Sequence, residues 1–489
     1  MRVRVIGAGV RAGDEPDSFV LEHDRWNDWW KYQTQYWVTY VDERRQSVEI
    51  GQVKIAQYHQ AEAAPILPET FTGRPDGIFS VGQDVSYYEN LRALGQERSS
   101  WLLATLGDIA VDTDVRRMVL GLDVTTQSLL RNVPLETVRG QFARIAKGGA
   151  RLTEYNFRYK RAATSEKGGV ELSFKVAPES RPPSNIHVII GRNGAGKSTL
   201  LGDILAAFRQ RTNLGAKIAS VVSVSFSAFD SFGTEGLRGD SSVRPARYIG
   251  LKRPRMDPDG PQDLKSDVDL AEELRESLQE CVHGARKERL IRAIEILEND
   301  PIFAEAGLRN MLKRPVVEVD AVADPYRRLS SGHKIVLLTT TRLVETIEEK
   351  TLVLIDEPEA HLHPPLLSAF VRALSDLLSN RNGLAIVATH SPVVLQEVPS
   401  NCVWKVSRSG RETSVTRPSL ETFGENVGTL THEVFGLEVR GTGFYQMLSE
   451  IALDSFDYNT ALAELGYHLG QEGRAILRAQ MLLARRQEA

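Results

Sequence analysis

At 489 residues the chain has room for about three domains, and its 42% hydrophobic and 25% charged residues are ordinary for a globular protein rather than a disordered or fibrous one. A net charge of -4 excludes a wholly basic nucleic-acid coat but leaves room for a local basic patch. No stretch approaches the roughly 18 unbroken apolar residues that span a bilayer, the opening MRVRVIGAGVRAGDEPD has too short an apolar run for a signal peptide, and Cys281 and Cys402 stand far apart in no metal-type spacing. A cytoplasmic protein with two ordinary buried or half-buried thiols is therefore the expectation.

Residues 1–150 read as a separate α+β region of unassigned role. Four of the six tryptophans, Trp26, Trp29, Trp30 and Trp37, fall in one stretch. They read as core packing, with a partner-binding face as the alternative. WVTYV and VEIGQVKI flank the polar DERRQS, the pattern of a hairpin. Apolar residues recurring in WLLATLGDIA and VRRMVLGLDV then predict helices over 100–150.

Residues 151–440 read as a nucleotide-binding domain. RLTEYNFRYKR and GVELSFKV are strand-like, and NIHVII is a buried strand running into GRNGAGKST, residues 191–199. That loop fits G-x-x-x-x-G-K-[ST]. Gly191, Gly194 and Gly196 let the backbone turn so that amides point at phosphates, and Lys197 supplies a cation to the β- and γ-phosphates. Ser198 supplies a hydroxyl to Mg²⁺. Asn193, Ala195 and Thr199 complete the nucleotide-binding set. STLLGDILAAFRQ follows as a helix whose N-terminus favours anions.

VVSVSFSAF is a further strand. Residues 240–320 begin polar and Pro/Gly-punctuated (RPRMDPDGPQD) and turn helical from LAEELRESLQECV, which reads as an inserted helical subdomain. RPARYIGLKRPR, 244–255, is locally basic through Arg244, Arg247, Lys252, Arg253 and Arg255. It reads as a solvated loop, with a DNA-backbone contact as the alternative. Arg158, Lys160 and Arg161 form a smaller cluster of the same kind.

LSSGHK precedes the helix-like KIVLLTTTRLVETI, placing Ser330 and the Gly332 amide where a helix start grips phosphate. TLVLIDEPEAHLHP is a buried strand delivering Asp356, a Mg²⁺ ligand through water, and Glu357, placed to polarise the attacking water as general base. Glu359, His361 and His363 in EAHLHP could suggest a metal site, a reading that the resemblance carried by the motifs together disfavours. AIVATHSP ends a further buried strand at His390. Residues 441–489 read as a C-terminal helical segment.

These four pieces, in this order, resemble the ABC-ATPase superfamily, and most of all its non-transporter branch of RecF, SMC and OLD-type ATPases. DEPEAHLHP followed by ATHSP is characteristic of OLD-like bacterial ATPases. SVSFSAFDSF, YIGLK and FGENVGTLTHEVFGL are similar to ATPase subunits of Septu-type anti-phage defence systems. The resemblance covers residues 185–440. It implies an α/β fold, an ABC-ATPase nucleotide-binding domain with an inserted helical subdomain, hydrolysis of ATP with Mg²⁺, and His390 as the switch histidine reading the γ-phosphate. Leu329, Ser330 and Gly332 match the signature L-S-G-G-Q at three of five positions. In that family the signature of one subunit completes the site of its partner, so an ATP-dependent homodimer or higher oligomer is implied.

Ser331 and His333 depart from the signature. No Q-loop glutamine follows VVSVSFSAFD, where Ser225, Ser227 and Asp230 are the candidates. OLD proteins with their own nuclease carry a TOPRIM domain, for which too little chain follows residue 440. The resemblance therefore implies a separately encoded nuclease partner of the HNH class, nucleic acid as the eventual target, no membrane, and a role as ATP-dependent sensor or regulator in defence. A DNA-repair or chromosome-maintenance ATPase of RecF/SMC type is the alternative, and a transporter ATPase subunit is a more distant one.

Overall fold

In the computed structural model of the chain, the residues described are 1–9, 15–24, 31–60, 63–149, 153–163, 168–177, 180–209, 218–227, 232, 246–253, 263–282, 284–314, 317–379, 381–410, 412–441 and 443–488. The N-terminal part builds a six-stranded sheet from β1 (Arg2–Ile6), β2 (Ser18–His23), β3 (Gln35–Val41), β4 (Ser47–Gln57), β5 (Thr70–Phe71) and β6 (Ile78–Gly82), in the order β5-β1-β2-β3-β4-β6. β3 and β4 form the predicted hairpin. Alternation along β3 sends Tyr36, Val38 and Tyr40 inward and leaves Trp37 39% exposed, so core packing does not hold for Trp37. Trp26, Trp29 and Trp30 lie outside the described residues. Helices Val85–Ala93 and Gln96–Thr105 cover the sheet, and Tyr87, Tyr88, Leu91 and Leu102 join Phe19, Val38, Ile55 and Phe79 in one core.

A hairpin of β7 (Tyr155–Arg161) and β8 (Val170–Val176) follows. The main sheet has seven strands: β9 (Ile186–Ile190), β10 (Ser220–Ser225), β11 (Ala246–Gly250), β12 (Thr351–Asp356), β13 (Leu384–Thr389), β14 (Val403–Ser409) and β15 (Glu412–Thr416), in the order β11-β10-β12-β13-β9-β14-β15. All neighbours are parallel except β14 and β15. Every residue of β9, β12 and β13 is buried, the continuous apolar pattern of parallel strands covered on both faces. Val188, Ile355 and Val387 point into a core shared with helices Asp267–Cys281, Gly284–Leu297, Ser331–Thr346 and Pro364–Ser379. Ile189, Leu354 and Ile386 point the other way, against helix Lys197–Arg209 and the β7–β8 hairpin. The protein is thus α/β, with a seven-stranded, mostly parallel sheet between helices, an extra N-terminal region and C-terminal helices.

Within 240–320, Ala246–Gly250 is β11 of the main sheet, and helices start at Asp267 behind a reciprocal cap between Ser266 and Asp269. The basic stretch is therefore not a solvated loop where it is described. It includes a strand, Lys252 is 2% exposed, and Arg253 pairs with Asp269 at 2.6 Å. Arg244 and Arg255 lie outside the described residues. In the smaller cluster, Arg158 pairs with Glu171 and Arg161 with Asp203. Helix Val427–Gly441 packs Leu430 into the main core, and the last helices, Phe444–Asp454, Tyr458–Glu464 and Gln471–Glu488, gather Leu448, Ala452, Ala461, Leu477 and Met481 into a small core of their own.

Charged contacts join the N-terminal region to the main sheet. Asp84 meets Arg381 at 3.2 Å and Arg289 at 3.9 Å. Glu349, 3% exposed, takes Arg144 at 3.1 Å and the Asn382 amide at 3.3 Å. Cys281 and Cys402 are buried free thiols, each pushed up to about 12 by burial. No helix among the described residues is long and apolar enough to cross a membrane.

Candidate functional site

Parallel register fixes where the motifs meet. Asp356 of β12 pairs with Ala388 of β13, and Ala388 with Ile189 of β9. The three strands end level, so Gly191, Glu357 and His390 all emerge at the carboxyl edge of the sheet, the edge where such sheets take ligands.

The loop 191–199 is shaped by two demands. At Gly191 a side chain would drive into the Val406 carbonyl oxygen of β14. Gly194 and Gly196 have open space around them but φ values of +77° and +92°, where a Cβ is costly. Asn193 and Thr199 are exposed, Ala195 is buried, and Ser198 is half-buried in the first turn of helix Lys197–Arg209. Lys197 is 4% exposed, and its Nζ donates to the Gly191 and Arg192 carbonyls at 3.1 and 3.2 Å. The same ammonium lies 4.0 Å from Glu357 Oε1.

Glu357 has φ +45° and ψ 60°, a left-handed conformation rare outside glycine. Its amide donates to the Ala388 carbonyl at 2.9 Å, which anchors the turn. The resulting kink directs its carboxylate toward Lys197 and, at 3.7 Å, His390 Nδ1. Sequence reasoning missed the part played by Glu359. Its Oε1 accepts the His390 amide at 2.7 Å and the Thr389 hydroxyl at 2.6 Å, and lies 3.1 Å from His390 Nδ1. The third carboxylate of D-E-P-E is the only signal for this in the sequence.

Asp356 is 2% exposed at the end of β12. One carboxylate and the Ser198 hydroxyl suit Mg²⁺, which leaves most of its shell to phosphate and water. They do not make an all-protein metal cage, and no group of three metal-type ligands occurs among the described residues. His361 and His363 turn to separate partners, the Phe226 carbonyl and Asp300. On the β14 flank of the loop lies a cavity of about 820 Å³, lined by Arg192–Ala195, Ser407, Arg408, Gly410, His432–Val434 and Gly436.

Ser330 and Gly332 belong to another cluster. Ser330 is exposed at the cap of helix Ser331–Thr346, with its hydroxyl 2.6 Å from His333 Nδ1. Gly332 is buried, and a side chain there would strike the His361 carbonyl oxygen. Of the Q-loop candidates, Ser225 ends β10 in register with Asp356, Ser227 is half-buried, and Asp230 lies outside the described residues.

Residues 290–396 match a family profile described as "AAA domain, putative AbiEii toxin, Type IV TA system". The match spans Ser330, Asp356, Glu357 and His390. Among solved structures, the SMC head domain from Thermotoga maritima is 13% identical, covering 55% of this chain and 100% of that one with a TM-score of 0.28. An ATP-binding cassette of an ABC transporter in its ADP conformation is 14% identical, covering 55% and 93%, with a TM-score of 0.28. Superpositions that loose carry no residue correspondence. Protein ea59 of Escherichia phage lambda is 38% identical over 511 residues, spanning 96% of this chain and 95% of that protein. With likeness of that degree along nearly its whole length, the chain belongs to the family of protein ea59 of Escherichia phage lambda.

Proposed function

We propose that the chain binds ATP with Mg²⁺ and hydrolyses it, and that two copies close around two nucleotides. The observation that carries this reading is the convergence of Lys197, Glu357 and His390 at the carboxyl edge of the sheet, beside the glycine loop. The loop amides and Lys197 take the β- and γ-phosphates. Ser198 and Asp356 hold Mg²⁺, which neutralises phosphate charge when bound. Glu357 accepts a proton from water as its oxygen attacks the γ-phosphorus. The bond from that phosphorus to the β–γ bridging oxygen then breaks, and ADP leaves. His390, aimed by Glu359, contacts the γ-phosphate. The cavity on the β14 flank takes the nucleoside end, opposite the hydrolytic residues.

In this reading residues 151–440 are the ATPase domain, with 240–320 inserted. Residues 1–150 and 441–489 are the surfaces left for partners. Ser330 and Gly332 act on nucleotide held by the Lys197 of a second copy, a role supported by the exposure of Ser330. The output is control of a separately encoded nuclease of the HNH class in an anti-phage defence complex in the cytoplasm, with nucleic acid as its target. This rests on the OLD- and Septu-like segments of the sequence. The alternative reading is an ATPase of DNA repair or chromosome maintenance, of the RecF/SMC kind that the sequence also resembles.

Hydrolysis is tested by ATP turnover of the purified chain against Lys197→Ala and Glu357→Gln. The choice of output is tested by co-expression with the neighbouring gene, co-purification, and DNA cleavage with and without ATP. If nothing co-purifies and the chain alone protects cells as well as the whole locus does, the nuclease-partner reading is wrong.

A further inference from the structure

The turn at Ser330 carries a polar chain that hydrolysis at Glu357 does not use. Ser330 Oγ lies 2.6 Å from His333 Nδ1, and His333 Nε2 lies 3.0 Å from Asp300 Oδ1. The His333 and Asp300 side chains are each 4% exposed, whereas Ser330 is exposed. Asp300 is itself fixed as the cap of helix Pro301–Ala306, accepting the Ile302 and Phe303 amides at 3.0 and 3.4 Å. Burial alone would raise its carboxyl. The hydrogen bond from His333 and those two amides outweigh burial and hold it below the usual carboxylate range. An ionised carboxylate only accepts, so His333 Nε2 carries a hydrogen in both charge states of the ring. Any proton that His333 gains or loses is therefore at Nδ1, the nitrogen facing Ser330.

With Nδ1 bare, the serine's own hydrogen must fill the contact, and the hydroxyl presents only lone pairs outward. With Nδ1 protonated, the ring donates to Oγ and the hydroxyl hydrogen is released outward. A phosphate oxygen accepts hydrogen bonds and is met only by the second arrangement. We propose that His333 is a positioning residue for Ser330: protonated, it turns the Ser330 hydroxyl into a donor toward the phosphate of a nucleotide held by a second copy of the chain, and neutral, it withholds that donor.

The inference rests on the dimeric ATPase reading above. Closure of the dimer then takes up one proton at each such site. Because closure raises the proton affinity of His333, the closed dimer gains as pH falls and is lost as pH rises. The other groups facing the ring are His363, whose Nε2 lies 3.4 Å from Asp300 Oδ2, and the uncharged ring of Phe303. Lys334, next on the helix, turns away to Asp267 at 3.0 Å.

The experiment measures the dimer dissociation constant of the full chain at pH 6, 7 and 8, by sedimentation with ATP and Mg²⁺ in the Glu357→Gln background. The expected result is tighter association at lower pH, by up to about tenfold per site for each pH unit. His333→Gln and Ser330→Ala should each remove about one proton per site from that slope, whereas His363→Gln should keep it. Ser330 is exposed and its side chain makes no cap bond, so its removal keeps the test open if His333→Gln fails to fold. A dimer whose slope is unchanged in Ser330→Ala, or follows His363 instead, overturns the role of His333 alone. An ATP-loaded Glu357→Gln chain that stays monomeric at every pH overturns the dimer reading and this inference with it.

Discussion

Lys197 and Glu357 face each other across the mouth of the site, ammonium to carboxylate at 4.0 Å, one at the start of the helix after β9 and the other just past β12. The lysine also rests on two loop carbonyls, and in the proposed function a nucleotide phosphate takes the place of these partners. Lys197→Ala removes the fixed cation, so nucleotide titration and ATP turnover should both fall to background. Undiminished turnover in the folded variant would remove Lys197 from the mechanism.

Glu357→Gln keeps the side chain's shape and loses its basicity. Removing a general base typically costs roughly 10²- to 10⁴-fold in rate, while ATP binding should survive. Single-turnover hydrolysis and a separate binding titration check the two halves. A folded variant that no longer binds ATP would assign the acid another task.

Glu359→Gln should act on kcat more than on KM. The carboxylate holds the His390 amide and ring and the Thr389 hydroxyl. Hydrogen bonds to a charged group are worth about 1.5–3 kcal/mol, so the rate should drop by roughly 10- to 100-fold. Steady-state kinetics with a large rise in KM and unchanged kcat would contradict a positioning role.

Asp108 gives the N-terminal core a pH dependence. It is fully buried, accepts from Tyr88 and the Ala110 amide, and its carboxyl is pushed up to about 7, with burial the leading cause. A carboxyl raised on folding contributes stability at low pH that is lost as pH climbs from about 4 through 7. Asp108→Asn keeps the acceptor without the buried charge. Its melting temperature should vary less than the parent's between pH 5 and 8, and an unchanged pH profile would rule Asp108 out as the source.

Asp84 should be costly to remove. It caps helix Val85–Ala93 through the Ser86 amide and faces two largely buried arginines. Breaking a buried ion pair costs about 3–5 kcal/mol, so denaturant unfolding of Asp84→Ala should show a loss of about 3 kcal/mol or more. A loss below about 1 kcal/mol would mean the contact is solvated.

The main parallel sheet was readable because its strands are short unbroken apolar runs and its loops carry chemistry at fixed spacing. Three features were not readable, each for a tertiary reason. β11 was hidden because Arg247 and Lys252 made its surroundings look like a solvated loop, although Tyr248 and Ile249 are buried. His333 looked like a mere departure from a pattern, because its partner Asp300 sits 33 residues earlier and only folding joins them. Glu359 owes its place to the left-handed turn at Glu357 and the short 3-10 turn Pro358–His361 after it. No periodicity in the sequence announces such a turn.

The joint between the N-terminal region and the main sheet sets a practical limit on dissecting the protein. Residues 1–149 have a core of their own, which invites cutting the chain near residue 150. Such a cut would strip Arg289 and Arg381 of the Asp84 carboxylate and Glu349 of the Arg144 guanidinium. Glu349 stands two residues before β12, the strand that delivers Asp356. A truncated chain would thus expose charged groups that the joint now buries, close to the root of the strand that delivers Asp356. Low turnover from such a fragment would report damage at the cut, and assays of nucleotide chemistry belong on the full-length protein.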